Sequence, residues 1–545
     1  LLIPSIAAGA IVTMSTQREE KKDDNLRDNV ADIEKGEARQ SSGPSGSNEE
    51  GAGSQAWSLA QQLLNGAQSG FNGKPNSPTL PRTNSQAAQA PAGPKKLRKT
   101  AWMDGLRGWA AFLVYILHNE MWAHESSFFD HKLESVWGYK GNYSFATFHG
   151  IRTFVTGGHF AVAIFFFLSG YVLSLKPLSL IHAGQYVTLG ENISSALFRR
   201  WLRLMMPIFI TTFISMVVCH VLDFKVPFHR EKTLWDEIWQ WYLDIKNFTF
   251  IFTTGDGYNF LYNPHSWSIP IEMRGSIGIY TTLMAVSRLT RRNRLIVFGV
   301  LIWYYMWIAD GAYFAMFTGG MLICDMEMLY EEGNLPTWIT DIGKYKNRVC
   351  YTMLAIAIWL GGVPGYSIEV QVLRDSPTYY WISFLKPQAV FDTKWFYLFF
   401  AAGMLVIVTP RIPWLKAFFE TRFCQFLGRV SYMLYLFHGP ILWTFGDHIY
   451  AAVGWTKYGH GLTAPAWINI FELPKWGFHG FELSFLAAQL IICPLTLWIA
   501  YIATIYIDDP CLEFAAKLYR RLQPATPEER QREQQVNPAI SKTQS

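Results

Sequence analysis

The sequence predicts an all-α fold, a polytopic bundle of about ten transmembrane helices behind a disordered N-terminal region. Three observations carry this expectation. Only 16% of the 545 residues are charged while 50% are hydrophobic, whereas soluble proteins average about one quarter charged. From residue 101 onward, apolar stretches of ~20 residues recur, the length that crosses a bilayer core. Residues 14–93 lack any such pattern, and their polarity dilutes the mean hydropathy of the whole chain to +0.10.

The elements follow in order. Residues 1–13, "LLIPSIAAGAIVT", are apolar but too short to span. No basic run precedes them, so no signal peptide is expected, and Met14 opens a more plausible start. Residues 14–93, rich in Ser, Gly, Gln, Asn and charge, bury too little surface to offset their ordering entropy. The chain therefore divides into a disordered region 1–93, a membrane domain 94–522 and a flexible tail 523–545. Spans are expected at 102–123, 151–175, 202–222, 266–287, 295–309, 311–329, 350–364, 394–409, 427–449 and 483–507. The basic runs "KKLRK", "RRWLR", "RLTRRNR", "KYKNR" and "KLYRR" all fall on the N-terminal side of this arrangement, which makes that side cytosolic. Lys225, Arg230, Lys232 and Lys246 fall on the other side, so the bias is moderate.

Composition also excludes classes. The net charge of +5 is small and spread over loops, which gives no case for nucleic acid. The six cysteines are scattered, form no CxxC pair, and leave no metal site to expect. They read as small apolar filler.

Charges inside spans are costly and mark function. The first span, "AWMDGLRGWAAFLVYILHNEMW", carries Asp104, Arg107 and His118. Arg107 and His118 lie about three turns and ~16 Å apart on nearly one face. Asp104 is ~21 Å of rise from His118, so it caps the helix or pairs with Arg107 rather than orienting the imidazole. His118 is either a hydrogen-bonded core histidine or a general base. In "SALFRRWLRLMMPIF", Arg199, Arg200 and Arg203 crowd the start of the third span. They read as a positive-inside anchor, or Arg200 and Arg203 as a fork for phosphates such as those of coenzyme A. The fourth span opens on "NPHSWSIPIEMRGS", with Trp267, Glu272 and Arg274. Glu272 needs a partner in the bilayer: it pairs with Arg274 or Arg107, or it orients His118. His438 sits mid-span before Gly439 and Pro440, as a pocket wall or a packing histidine, where the proline frees local backbone.

Together these segments resemble the acyltransferase 3 family of integral membrane acyltransferases. "MDGLRGWAAFLVYILH" is similar to its first-helix motif, an Arg, ten residues and a His, here Arg107 and His118. "GHFAVAIFFFLSGYVLS" resembles its second-helix signature, "RWLR" its RxxR motif, "HSWSIPIEM" its Trp–Glu segment and "SYMLYLFHGPI" its late His–Pro segment. "IDDPCLEFAAKLYRRL" resembles the closing motif, with Asp508 where Glu is common. The resemblance covers roughly residues 100–522 and not the leader.

It implies an O-acyltransferase that moves a short acyl group, usually acetyl, from cytosolic acyl-CoA to a hydroxyl. Acetyl-CoA would be a co-substrate, with no permanently bound cofactor. His118, Arg107 and Glu272 would be catalytic, and Arg200, Arg203, Trp267 and His438 would bind substrates. The expected partners are the lipid bilayer, acyl-CoA and a small-molecule or glycan acceptor, in an endomembrane or the plasma membrane. Two other readings stay open. A proton-coupled transporter also needs intramembrane His, Glu and Arg, although no inverted repeat is evident. The same scaffold could also run another proton transfer, such as cyclisation.

The charge bias predicts that both termini are cytosolic. Glycan is then expected on Asn142 or Asn247 and not on Asn192. A C-terminal reporter found on the luminal side, or glycan on Asn192 in a mobility-shift assay, would overturn that topology.

Overall fold

The computed structural model describes residues 97–524 apart from 125–132, 134, 225, 227–229, 253–259, 336–342, 366–367 and 458. The leader 1–93 and all but residues 523–524 of the tail lie outside the described residues. The described residues form helices and connecting turns, with no strand among them.

The long helices are α1 (Ala101–His124), α2 (Gly158–His182), α3 (Tyr186–Val221), α4 (Leu234–Thr249), α5 (Ser268–Val286) and α6 (Arg291–Trp307). They continue with α7 (Ala312–Glu331), α8 (Lys346–Gly361), α9 (Thr393–Val408), α10 (Arg422–Ile441), α11 (Leu483–Ala503) and α12 (Asp509–Leu522). Each segment drawn from hydropathy coincides with one of them. Five are long and apolar enough to cross a membrane by length and composition: α2, α3, α7, α9 with its following turn, and α11 continued through α12. The chain is a multi-pass membrane protein.

Three boundaries differ from the sequence reading. The second span begins at Gly158 rather than 151, because the chain turns at Gly157, where a Cβ would lie 2.0 Å from Thr153 O. The third helix is 36 residues long and starts at Tyr186, so Arg200 and Arg203 lie inside the helix, ahead of its apolar second half, rather than at its first turn. Beyond Pro440, α10 continues through a π-helical turn, Leu442–Gly446, into Asp447–Ala452. A proline cannot donate to the helical ladder, and a wider turn absorbs the mismatch.

Lipid tails are as apolar as leucine, so helices in a membrane associate through close packing of small residues. The contact between α1 and α10 is of this kind. A Cβ on Gly108 would stand 2.1 Å from Gly428 N, and one on Gly428 would stand 2.3 Å from Asp104 O. Neither position has room for a side chain. A similar crossing joins α2 to α7, where a Cβ on Gly170 would meet Phe317 O at 2.1 Å.

Cross-contacts fix helix directions. Arg107 meets Gly428 and His118 meets His438, so α1 and α10 run parallel. Phe166 meets Phe317 and His182 meets Asp325, so α2 and α7 are parallel. Tyr115 meets Gln489 and His124 meets Phe485, so α1 and α11 are antiparallel.

The buried backbone contact generates a prediction. Gly428→Ala should destabilise the protein by about 1–3 kcal/mol through overpacking. Gly299→Ala on α6, where nothing lies within 4 Å of the added methyl, should be neutral or stabilising by about 0.5–1 kcal/mol. Thermal unfolding in nanodiscs compares the two, and equal midpoints would show that α1 and α10 do not touch this closely.

Candidate active site

Two polar layers lie along α1. The first holds the charges. Arg107 donates from Nη2 to Gly428 O at 3.1 Å and lies 3.5 Å from Asp104 Oδ1. Asp104 also accepts from Arg98 at 2.7 Å, so it serves as a carboxylate for two arginines. Arg200 turns inward from α3 onto Glu272 of α5, donates Nε to Ser276 Oγ at 2.9 Å, and donates Nη2 to Ser169 Oγ at 3.2 Å. Ser169 Oγ donates in turn to Glu272. The partner of Glu272 is therefore Arg200, rather than Arg274, Arg107 or His118. This network ties α2, α3 and α5 together, and both charges are largely shielded, at 12% and 19% side-chain exposure.

Arg203 is more exposed and hydrogen-bonds to none of the described residues. It lies within electrostatic range of Arg107, Arg200 and Asp508. Arg107, Arg200, Arg203, Glu272 and Asp508 thus share one charged chamber. Arg199, by contrast, is spent on Ser195 O of its own helix at 3.1 Å.

The second layer is a group of three imidazoles. His118 Nδ1 is 2.9 Å from Val114 O and 3.1 Å from His438 Nε2. His438 Nδ1 is 3.2 Å from Leu434 O. A carbonyl only accepts, so the His438 proton belongs on Nδ1 and its Nε2 is a lone pair. Both neighbours of His118 Nδ1 are then acceptors, which puts the His118 proton on Nδ1. The lone pair of His118 is left on Nε2. Carbonyls one turn back along α1 and α10, helped by His438, set this tautomer; no carboxylate does.

His265 completes the group, its ring centroid 3.8 Å from His118 and 4.9 Å from His438. It rides on the short 3₁₀ turn Pro264–Trp267. That turn is held against α10 by Asn263 Nδ2 donating to Leu436 O at 2.9 Å and by Tyr435 hydroxyl donating to His265 O. A Cβ at residue 439 would lie 2.5 Å from His265 Nδ1, so Gly439 is what admits the ring. Trp267 leads from this turn into α5 and packs beside Tyr313 and Trp395, with centroids 6.2 and 6.0 Å away.

Sequence reasoning singled out His118 and His438 but not His265. The missed signal was a histidine two residues before Trp267, following a proline that opens a turn. One ring nitrogen from each of the three imidazoles lies within 4.8 Å of the others, a separation at which three histidines can ligate one metal ion. A cavity of about 460 Å³, lined by Leu197, Phe198, Trp201 and Leu518, lies between α3 and α12 and includes none of the imidazoles in its lining. It holds no acid or base.

Comparison with known proteins identifies the family. The family model described as an acyltransferase domain, Acyl_transf_3, matches residues 100–505. The chain is similar to the O-acetyltransferase PaAT-1 of Phomopsis amygdali, 28% identical over 382 residues, covering 65% of this chain and 74% of that one. It is also similar to the acyltransferase clz18 of Cochliobolus lunatus, 24% identical over 348 residues, covering 55% and 71%. A third relative is the acyltransferase R4 of Phoma sp. (strain ATCC 20986 / MF5453), 22% identical over 402 residues, covering 66% and 80%. No solved structure matches. The matched segment runs from the first residues of α1 into the turn after α11, and on that extent the chain belongs to the acyltransferase 3 family.

Proposed function

We propose that this protein transfers an acetyl group from cytosolic acetyl-CoA to a hydroxyl of a small-molecule or glycan acceptor, within an endomembrane or the plasma membrane. The observation that carries the reading is His118, with Nδ1–H engaged and the Nε2 lone pair free. The relative from Phomopsis amygdali is named an O-acetyltransferase, which favours acetyl as the acyl group.

The chemistry balances with one imidazole. His118 Nε2 takes the acceptor's hydroxyl proton as that oxygen attacks the thioester carbonyl carbon. The new C–O bond forms, the C–S bond breaks, and the proton passes from His118 to the departing thiolate. The oxyanion that develops on the way needs a donor or a positive charge nearby. The charged chamber is ~16 Å away along α1, too far for Arg107 to reach that oxygen in this conformation. Arg107 and Arg203 suit the donor's phosphates instead, and the pantetheine arm spans the distance. Arg200, already committed to Glu272, holds the chamber's shape. Trp267 and His438 form the wall against which the acceptor packs.

Ten spans with both termini cytosolic fit the helix directions. In that count α1 and α10 are the first and ninth spans, α2 and α7 the second and sixth, and each pair runs parallel. The tenth, α11, runs antiparallel to the first. A proton-coupled transporter would not consume acetyl-CoA. Membranes incubated with radiolabelled acetyl-CoA and candidate acceptors separate the two readings, and also a scaffold diverted to cyclisation.

Two substitutions test the roles. His118→Ala should lower kcat by about 10²–10⁴-fold while the protein inserts and folds normally. Retention of more than about a tenth of turnover would move the base elsewhere. Arg203→Lys keeps the charge but loses the planar fork, so acetyl-CoA affinity should fall by roughly tenfold with acceptor affinity unchanged. Equal donor affinities for wild type and Arg203→Lys in a nanodisc binding assay would reduce Arg203 to a topological anchor. Arg200→Lys serves as the comparison, because it should lower stability as well.

A further inference from the structure

At the end of α1 opposite the charged chamber lies a second cluster of imidazoles and carboxylates that the transfer chemistry does not use. His124 is the last residue of α1. Its Nδ1–H donates to Glu120 O at 3.0 Å, and its Nε2 lies 2.7 Å from Glu482 Oε2. Glu482, on the residue that precedes α11, also has Oε1 3.2 Å from His479 Nδ1, and its Oε2 accepts from Gly480 N at 3.1 Å. The imidazole of His124 is 1% exposed and the Glu482 carboxylate 7%. Behind His124, Glu120 Oε2 stands 3.1 Å from Nδ1. That oxygen is buried and accepts no hydrogen bond, on a residue only 2% exposed.

From this geometry we infer a site for one divalent transition metal ion of the zinc class, ligated by His124 Nε2, His479 Nδ1 and the Glu482 carboxylate. The three ligand atoms lie within 4.8 Å of one another. Four-coordinate zinc, with bonds of about 2.0–2.1 Å, sets neighbouring donors about 3.3 Å apart. The His479–Glu482 separation of 3.2 Å matches that spacing, and the His124–Glu482 separation of 2.7 Å, a hydrogen-bond distance, would widen as the ion enters. Nδ1–H of His124 is held by Glu120 O, and a metal ion would displace the Nε2 proton that Glu482 Oε2 accepts at 2.7 Å in this structure. Glu120 then occupies the position of the carboxylate that commonly stands behind a metal-bound histidine.

Charge balance points the same way. A divalent cation held by two neutral imidazoles would offset the charge of both shielded carboxylates when they are ionised. Two imidazole nitrogens in the set favour a zinc-like ion over calcium or magnesium, which prefer oxygen. The ligands are 358 residues apart at their extremes, so no sequence spacing announces the site. An ion here fastens the segment before α11 to the end of α1, six residues beyond His118, and so holds the helix that carries the proposed base.

The test uses the full-length protein in nanodiscs, purified without metal-affinity resin or chelator. Elemental mass spectrometry of wild type should find about one zinc per chain, with at least a tenfold loss in His479→Ala, a partly exposed position whose removal spares the core. Adding zinc chloride to chelator-stripped wild type should raise the thermal midpoint and leave His479→Ala unmoved. A metal-free wild type whose midpoint does not respond to zinc would overturn the proposal and leave His124 as an imidazolium between two carboxylates. Equal zinc in wild type and His479→Ala would overturn it as well.

Discussion

The backbone contact between Gly108 and Gly428 is the constraint on which the rest of the site depends. Because neither residue carries a side chain, α1 and α10 touch through their main chains. Parallel helices in register at one point stay in register along their lengths. One residue before the crossing, Arg107 reaches Gly428 O; ten residues beyond it, His118 reaches His438. Asn119 then meets Tyr450 hydroxyl at 2.8 Å, and Trp122 donates to Asp447 at 2.7 Å. A larger residue at the crossing would push the helices apart and break this whole ladder of polar contacts. In lipid, the groups left behind would find no water to replace their partners.

The sequence made the helices legible and left their relations obscure. Hydropathy alone located α1 to within a residue at each end, because a run of that length has no alternative in a bilayer. The Arg107–His118 spacing placed both residues on the α10-facing side, as helical periodicity requires. Pairings across the bundle were another matter. Glu272 could reach several arginines by sequence distance, and only packing assigned it to Arg200 through Ser169 and Ser276. The start of α3 was misjudged because residues 186–201 are polar enough to read as a loop, yet they continue a helix without a breaker. His265 escaped attention for a different reason. It lies in a turn, where neither the helical nor the strand period applies, and its value comes from being held against Gly439.

Separation of the two polar layers has a chemical consequence. If Glu272 contacted His118, it would stabilise the imidazolium and hold the proton after transfer. The carbonyl of Val114 orients the ring without a full negative charge, and His438 adds a second neutral acceptor. A base oriented this way gives its proton back more readily to a leaving thiolate than one paired with a carboxylate. The arginines, confined to the other layer, can attract a polyanionic donor without lying against the base.

The same separation explains why charge can be present in the bundle at all. The most shielded ionic groups are met by an opposite charge and by hydrogen bonds: Arg200 has Glu272, Ser169 and Ser276, and Arg107 has Asp104 and Gly428 O. Arg203 alone among the three arginines has no hydrogen-bonded partner in the described residues, which leaves its guanidinium available for the phosphate role proposed for it. Its side chain is exposed, so an anion can approach it from outside the chain without displacing a protein partner.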